Sequence, residues 1–133
     1  MDKNLVRTRL FFDQCQNLIG FYSLFNDTIK MHKNKRKQLN VYLPQNVKEI
    51  PAIRLHYIGI DDRYKGRGYG HTLMASVIVN CANIAKISGC ALITVESTKG
   101  VKSFYEKYDF KYIHPEGSYY IMAMNTKNLL NLV

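Results

Sequence analysis

The sequence predicts an α/β (α+β) fold, a mixed central β-sheet built around a strand-loop-helix unit with flanking helices, and three observations predict it. The first is the β-branched and aromatic run Ala52-Ile53-Arg54-Leu55-His56-Tyr57-Ile58-Gly59-Ile60, which leads through a charged, glycine-rich turn into a helix-patterned segment over 71–88. The second is Cys90-Ala91-Leu92-Ile93-Thr94-Val95, a short, near-continuous apolar run after that helix, as expected of a strand buried on both faces and parallel to the one before. The third is a pair of hairpin patterns on either side, 5–12 with 18–25 and 110–113 with 119–124. A chain of 133 residues fits one domain, 1–133.

Taken in order, the first hairpin turns through Asp13-Gln14-Cys15-Gln16-Asn17. From 26 to 49 the chain becomes polar and basic, with Pro44 as a breaker, and reads as a long loop holding at most one irregular helical turn. After Pro51 comes the strand 52–60, in which Gly59 marks a bulge or a close backbone approach. In the helix over 71–88, Leu73, Met74, Val77, Ile78, Cys81, Ile84 and Ala85 make an apolar stripe opposite Thr72, Ser76, Asn80, Asn83 and Lys86. Gly89 is placed to stop it. A second helix over 100–108 carries Val101, Phe104, Tyr105 and Tyr108 on one face, the last hairpin turns at His114-Pro115-Glu116-Gly117, and Thr126 is placed to cap a final helical turn.

Composition narrows the function classes. Lys and Arg number 19 against 10 acidic residues, a formal charge of +9, which draws anionic partners without choosing among them. The dense run Lys30, Lys33, Lys35, Arg36 and Lys37 is either a solvated loop or a phosphate contact. Three widely spaced cysteines, Cys15, Cys81 and Cys90, suit free thiols in a reducing cytoplasm better than a disulfide framework, and no zinc spacing occurs. Residues 1–4 lead into no apolar leader segment, and no apolar run is long enough to span a bilayer. The expectation is a soluble cytoplasmic protein with no membrane association.

The chemistry concentrates in Lys65-Gly66-Arg67-Gly68-Tyr69-Gly70, between a strand and a helix. Unpaired N–H groups and the helix dipole favour an anion there, glycines without a Cβ admit φ > 0 and close approach of phosphate oxygens, and Lys65 and Arg67 add charge. The dinucleotide fingerprint fails because His71 stands where its third glycine belongs, and the P-loop lacks its closing Gly-Lys-Ser/Thr.

The stretch from Ile58 to Gly70 resembles motif A of the GNAT superfamily of N-acetyltransferases, a strand, an Arg/Gln-x-x-Gly-x-Gly/Ala loop and a long helix. Val101-Lys102-Ser103-Phe104-Tyr105-Glu106-Lys107-Tyr108-Asp109-Phe110 is similar to the family's Ala-x-x-Phe-Tyr-Glu-Lys-x-Gly-Phe segment. Lys65 departs from the usual Arg/Gln, and Asp109 stands for Gly at a position where Asp tolerates the left-handed conformation. The resemblance implies acetyl-CoA as co-substrate and no metal. Its site comprises Ile58, Gly59 and Ile60 beside the thioester carbonyl and Lys65, Gly66, Arg67, Gly68, Tyr69, Gly70 and His71 around the pyrophosphate.

Acyl transfer to an amine needs donors for a developing oxyanion and a proton for the departing thiolate. The resemblance gives the proton to Tyr105, whose alternative is a core aromatic. For a general base, Glu96 and His56 are the candidates, and an α-amine titrating near pH 8 is available without one. Within the superfamily, Gly20-Phe21-Tyr22-Ser23-Leu24, Ile50-Pro51-Ala52 and Ser103-Phe104-Tyr105-Glu106 are similar to the GNAT-type toxins that acetylate aminoacyl-tRNA. Those toxins carry an N-terminal helical region where this sequence has residues 1–4. The acceptor is therefore open between a small-molecule amine, a protein amine and an aminoacyl-tRNA, the last with an antitoxin partner, and a homodimer and a non-catalytic CoA- or RNA-binding module also stay open.

Overall fold

Six strands, β1 (Arg7–Phe12), β2 (Leu18–Ile29), β3 (Ile50–Ile60), β4 (Leu92–Ser97), β5 (Lys111–Glu116) and β6 (Tyr119–Asn125), form one mixed sheet in the order β1-β2-β3-β4-β6-β5. Among the described residues three α-helices accompany it, α1 (Lys33–Gln38), α2 (Tyr69–Ile87) and α3 (Lys102–Glu106), with short 3-10 turns between and after them. The structure, a computed structural model, describes residues 5–44 and 46–132, and the reading of residues 1–4 as no leader lies outside the described residues.

The first hairpin forms as its turn residues direct, since Asp13 Oδ1 accepts from the backbone N–H groups of Cys15 (2.8 Å) and Asn17 (2.9 Å). β2 runs four residues further than expected, because Asn26 to Ile29 find antiparallel partners in Ile53 to Ile50 and Ile29 is buried. Tertiary pairing overrides the polar pattern there. The basic run forms the short α1, and Leu39 and Val41 behind it bury against Ile29 and Ile50 on one sheet face.

The opposite face is covered by α2, whose Leu73, Met74, Val77 and Cys81 pack on Ile53, Leu55, Ile93, Val95 and Met122. Burial holds the Cys81 thiol up at about 12, so it packs as an inert apolar group. The helix starts two residues earlier than expected, at Tyr69, with Gly68 at its N-cap, and ends on an extended Ser88, so Gly89 supplies no left-handed cap. Its polar stripe is not all solvated: Ser76 Oγ lies 2.8 Å from Tyr22 Oη, and Asn80 Nδ2 donates to the same hydroxyl at 2.6 Å.

The second hairpin turns at Gly117-Ser118, later than expected, and His114, Pro115 and Glu116 belong to β5. Proline is admissible there because β5 is an edge strand. Thr126 does not cap through its side chain; its hydroxyl donates to the carbonyls of Cys90 (2.6 Å) and Ala91 (3.1 Å) and pins the chain's last turns to the start of β4. Among the described residues no helix is long and apolar enough to cross a membrane.

Two features of β3 position the site. Its parallel pairing with β4 covers only Ala52 to Leu55 against Leu92 to Val95, after which β3 continues on β2 alone and β4 on β6. The sheet therefore opens between its two central strands. Its register with β2 also slips, since Ser23 pairs Tyr57 but Leu24 pairs Leu55, which leaves His56 as the extra residue of a β-bulge. The bulge is thus at His56 and not at Gly59, whose added Cβ would lie 3.0 Å from the Phe21 ring.

Tyr22→Phe removes a hydroxyl that is 1% exposed as part of its residue and serves both Ser76 and Asn80. The expected cost is about 1–3 kcal/mol, read as a lower urea midpoint at unchanged slope.

Candidate active site

At the helix start the glycines divide by role. Gly66 (φ +75) and Gly68 (φ +83) take the left-handed conformation that L side chains avoid, and a Cβ on either would meet nothing within 4 Å, so the loop's backbone faces open space. Gly70 is already helical and brings α2 close to Phe104, 3.6 Å from where its Cβ would lie. The loop's N–H groups stand at the positive end of a 19-residue helix with no acidic residue in its first turn. The arrangement fits a bound phosphate.

The charges around it are not equivalent. Lys65 pairs with Asp62 (2.8 Å) and Arg63 with Asp61 (3.1 Å), whose Oδ1 also accepts from the Arg63 N–H. The Arg63 bonds hold the Asp61 carboxyl below its usual range, and Asp61 in turn raises Arg63. Arg67 has no carboxylate partner among the described residues, so its charge is the one left for a ligand; its guanidinium lies 5.7 Å from the Tyr64 ring centroid.

Ile58, Gly59 and Ile60 lie on the stretch of β3 that has lost β4, so every second peptide group there faces the opening rather than a strand. Gly20 keeps this stretch close to β2: a Cβ on it would fall 2.5 Å from the Gly59 carbonyl oxygen. On the far side stands α3. Tyr105 is buried among Phe104 and Phe110, its hydroxyl takes no hydrogen bond among the described residues, and burial raises it above the ordinary tyrosine value. Asp109 takes φ +69, as the left-handed role expected for it requires. His71 Nδ1 is hydrogen-bonded to Tyr108 Oη, and both rings contact Phe104, which closes an aromatic wall beside the helix start.

Glu96 and His56 each stand one residue beyond the last paired residues, Val95 and Leu55. Glu96 Oε1 accepts from Arg54 Nη1 at 2.9 Å, while Arg54 also binds Asp27 (2.9 Å) and Thr94 Oγ1 (2.8 Å). His56 is clasped by Phe25 and Tyr57, and its Nδ1 is buried without a partner. A groove of about 480 Å³ lined by Phe25, Asp27, Arg54, Glu96 and His114 runs from here over the sheet face away from α2.

Residues 34–120 match the sequence model of the acetyltransferase (GNAT) domain. The chain belongs to the GNAT family. A tRNA-acetylating toxin of Mycobacterium tuberculosis is 27% identical over 108 residues, which are 80% of this chain and 62% of that relative. The structure of AtaT complexed with acetyl-methionyl-tRNAfMet matches with a TM-score of 0.79 and 21% identity, over 97% of this chain and 76% of that one. That of AtaTR bound with AcCoA matches with a TM-score of 0.77 and 21% identity, over 97% and 75%. At these identities the two structures attest the GNAT fold.

Sequence reasoning about this GNAT chain missed Arg54, Asp13 and Tyr64, which act through residues distant in sequence; an arginine inside an apolar strand was the only local signal for the first. Gly68→Ala would force a Cβ into the left-handed region at a cost of about 1–2 kcal/mol and turn the loop's N–H groups away. Calorimetry is expected to show coenzyme A affinity falling about tenfold, with Gly89→Ala, an exposed glycine of ordinary φ, unchanged. Unchanged affinity in a folded Gly68→Ala protein would remove the loop from the cofactor site.

Proposed function

We propose that the chain is an acetyl-CoA-dependent N-acetyltransferase acting by direct attack of an amine. One observation carries the reading: the pairing of β3 with β4 ends after Leu55, and the chain then leads into a positive-φ glycine loop at a helix N-terminus. The backbone of Gly66 to His71 with Arg67 would hold the pyrophosphate, and the open edge of Ile58 to Ile60 would bind the acyl carbonyl. Bound acetyl-CoA supplies the thioester carbonyl that the amine attacks and a thiolate to be expelled. Tyr105 Oη, which has no hydrogen-bond partner among the described residues, is the donor for that sulfur, and its buried ring meets Phe104 and Phe110 edge-on. Glu96 is proposed as the proton acceptor for the incoming amine: Arg54 engages one carboxylate oxygen, and the other has no partner among the described residues.

For the acceptor we propose an aminoacyl-tRNA. The groove at Glu96 continues, through the shared Lys30 and His114, into a pocket of about 290 Å³ lined by Lys30, Met31, His32, Lys35, Ile113 and His114. A cationic exit from the acceptor cleft suits an amine carried on a phosphate chain, and a small amine would have no use for it. The relative named for tRNA acetylation supports the same reading, and an antitoxin partner is proposed with it, since the fold neighbour AtaT is described as a toxin bound to the C-terminus of the antitoxin AtaR.

Within the basic run, Lys35 and Arg36 already have structural work: Lys35 Nζ donates to the Tyr112 carbonyl (3.0 Å) and Arg36 Nη1 to that of Met31 (3.4 Å). The test therefore neutralises the exposed Lys30, Lys33 and Lys37 with glutamine. Filter binding across salt concentrations is expected to show weaker tRNA binding and a slope shallower by about one to three units, with coenzyme A affinity unchanged. Wild-type protein that fails to bind aminoacyl-tRNA at low salt would return the acceptor to the small or protein amines.

Tyr105→Phe keeps the ring packing and is expected to lower kcat by about 10²–10⁴-fold at unchanged coenzyme A affinity. Because burial disfavours the phenolate, the donor form persists through the ordinary value of 10.0 and is lost only as pH rises past a higher one. The wild-type kcat should show no loss of the acid below pH 10, and an alkaline limb near pH 8 that Tyr105→Phe leaves in place would assign the proton to another group.

A further inference from the structure

The phosphate loop does not stand alone; it is fastened to the turn of the β1–β2 hairpin. Asp61 N–H donates to the Ile19 carbonyl at 2.8 Å, and Tyr64 Oη donates to Asp13 Oδ2 at 2.5 Å. Asp13 is itself fixed, since its Oδ1 accepts the Cys15 and Asn17 N–H groups and its Oδ2 also accepts from Asn17 Nδ2 (3.2 Å). The Tyr64 bond, with these others, holds the Asp13 carboxyl down at about 2, so the acceptor is ionised throughout the physiological range.

The ring so fixed is a platform. Tyr69 meets it edge-on at 5.7 Å, and Arg63 and Arg67 each place a guanidinium 5.7 Å from its centroid. Of these two, Arg63 is neutralised by Asp61, while Arg67, between the two positive-φ glycines, keeps its charge for a ligand. An arginine on a flexible loop loses side-chain entropy when it clamps a phosphate, and a ring that already holds it lowers that cost.

We propose that Tyr64, anchored by Asp13, is a positioning residue that presents Arg67 and the glycine loop to the phosphates of coenzyme A. The proposal rests on the reading of the loop as the cofactor site. It assigns the β1–β2 turn a part in cofactor binding although no residue of that turn need touch the cofactor.

The test is calorimetry with coenzyme A on wild type, Tyr64→Phe, Tyr64→Leu, Asp13→Asn, Arg67→Ala and the Tyr64→Leu/Arg67→Ala double variant, each first checked for a native circular dichroism spectrum. Tyr64→Phe keeps the platform and loses the anchor, so Kd should rise about 2–10-fold. Tyr64→Leu loses both and should cost about tenfold or more, and Arg67→Ala should add little to it because the two act as one unit. KM for acetyl-CoA should follow Kd while kcat holds, a split that mere loss of stability does not produce. Wild type that binds no coenzyme A overturns the cofactor reading and this proposal with it. Wild type that binds, with Tyr64→Leu or, should that variant misfold, Tyr64→Phe and Asp13→Asn within twofold of it, overturns this proposal alone, as does full additivity of Tyr64→Leu with Arg67→Ala.

Discussion

The guanidinium of Arg54 lies in the sheet with its residue 7% exposed and binds Asp27 of β2, Thr94 and Glu96 of β4 from its own place on β3, at the last step but one before β3 and β4 part. An ion buried this deeply is tolerable only because its donors are shared among two carboxylates and a hydroxyl, and removing any partner would leave charge in the sheet. The clamp lies one step before the pairing ends and ties β3 to Glu96, one residue beyond it. Below it the strands are hydrogen-bonded and their side chains form both cores; above it, past Leu55 and Val95, they are no longer paired.

What lies above the clamp is built from exceptions to regular structure. Paired strands satisfy their own peptide groups and have none to offer a ligand; the parted segment has them. A helix start with an acidic cap would neutralise its own dipole, and α2 begins instead on a left-handed Gly68 with no side-chain cap and no acidic first turn. The neighbouring acids, Asp61 and Asp62, are paired with Arg63 and Lys65, which keeps them from opposing an anion and leaves Arg67 without a carboxylate partner among the described residues.

Much of this was legible in the chain because it depends on neighbours in sequence. Gly66 and Gly68, the apolar stripe of Leu73, Met74, Val77 and Cys81, and the buried run Leu92 to Val95 are local patterns with local causes, and Asp109 in the left-handed region is likewise a property of its residue type. What was not legible depends on register. The residues that meet Arg54, the tie of Asp13 to Tyr64 and the contact of Gly20 with Gly59 join positions 27 to 51 residues apart, and which pairs meet is decided only when β2, β3 and β4 align. The extension of β2 to Ile29 has the same origin: Asn26 to Ile29 read as loop until a partner strand is supplied.

The bulge at His56 shows how a single register step serves the site. Ile53 and Leu55 face the α2 core, so unbroken alternation would send Tyr57 and Gly59 there too; instead Ile58 and Ile60 pack against that core, and Tyr57 is 60% exposed. One inserted residue thus exchanges the two faces of the strand at the point where β4 leaves it. Had the alternation held, Gly59 would face α2, and the only residue of this segment without a Cβ would be lost from the face it shares with Phe21. With the exchange, isoleucines continue the core while Tyr57 is turned out to solvent and His56 packs between its ring and that of Phe25. The same strand therefore continues the core on one face and turns Tyr57 outward on the other, and its ladder with β2 resumes on both sides of the one-residue slip.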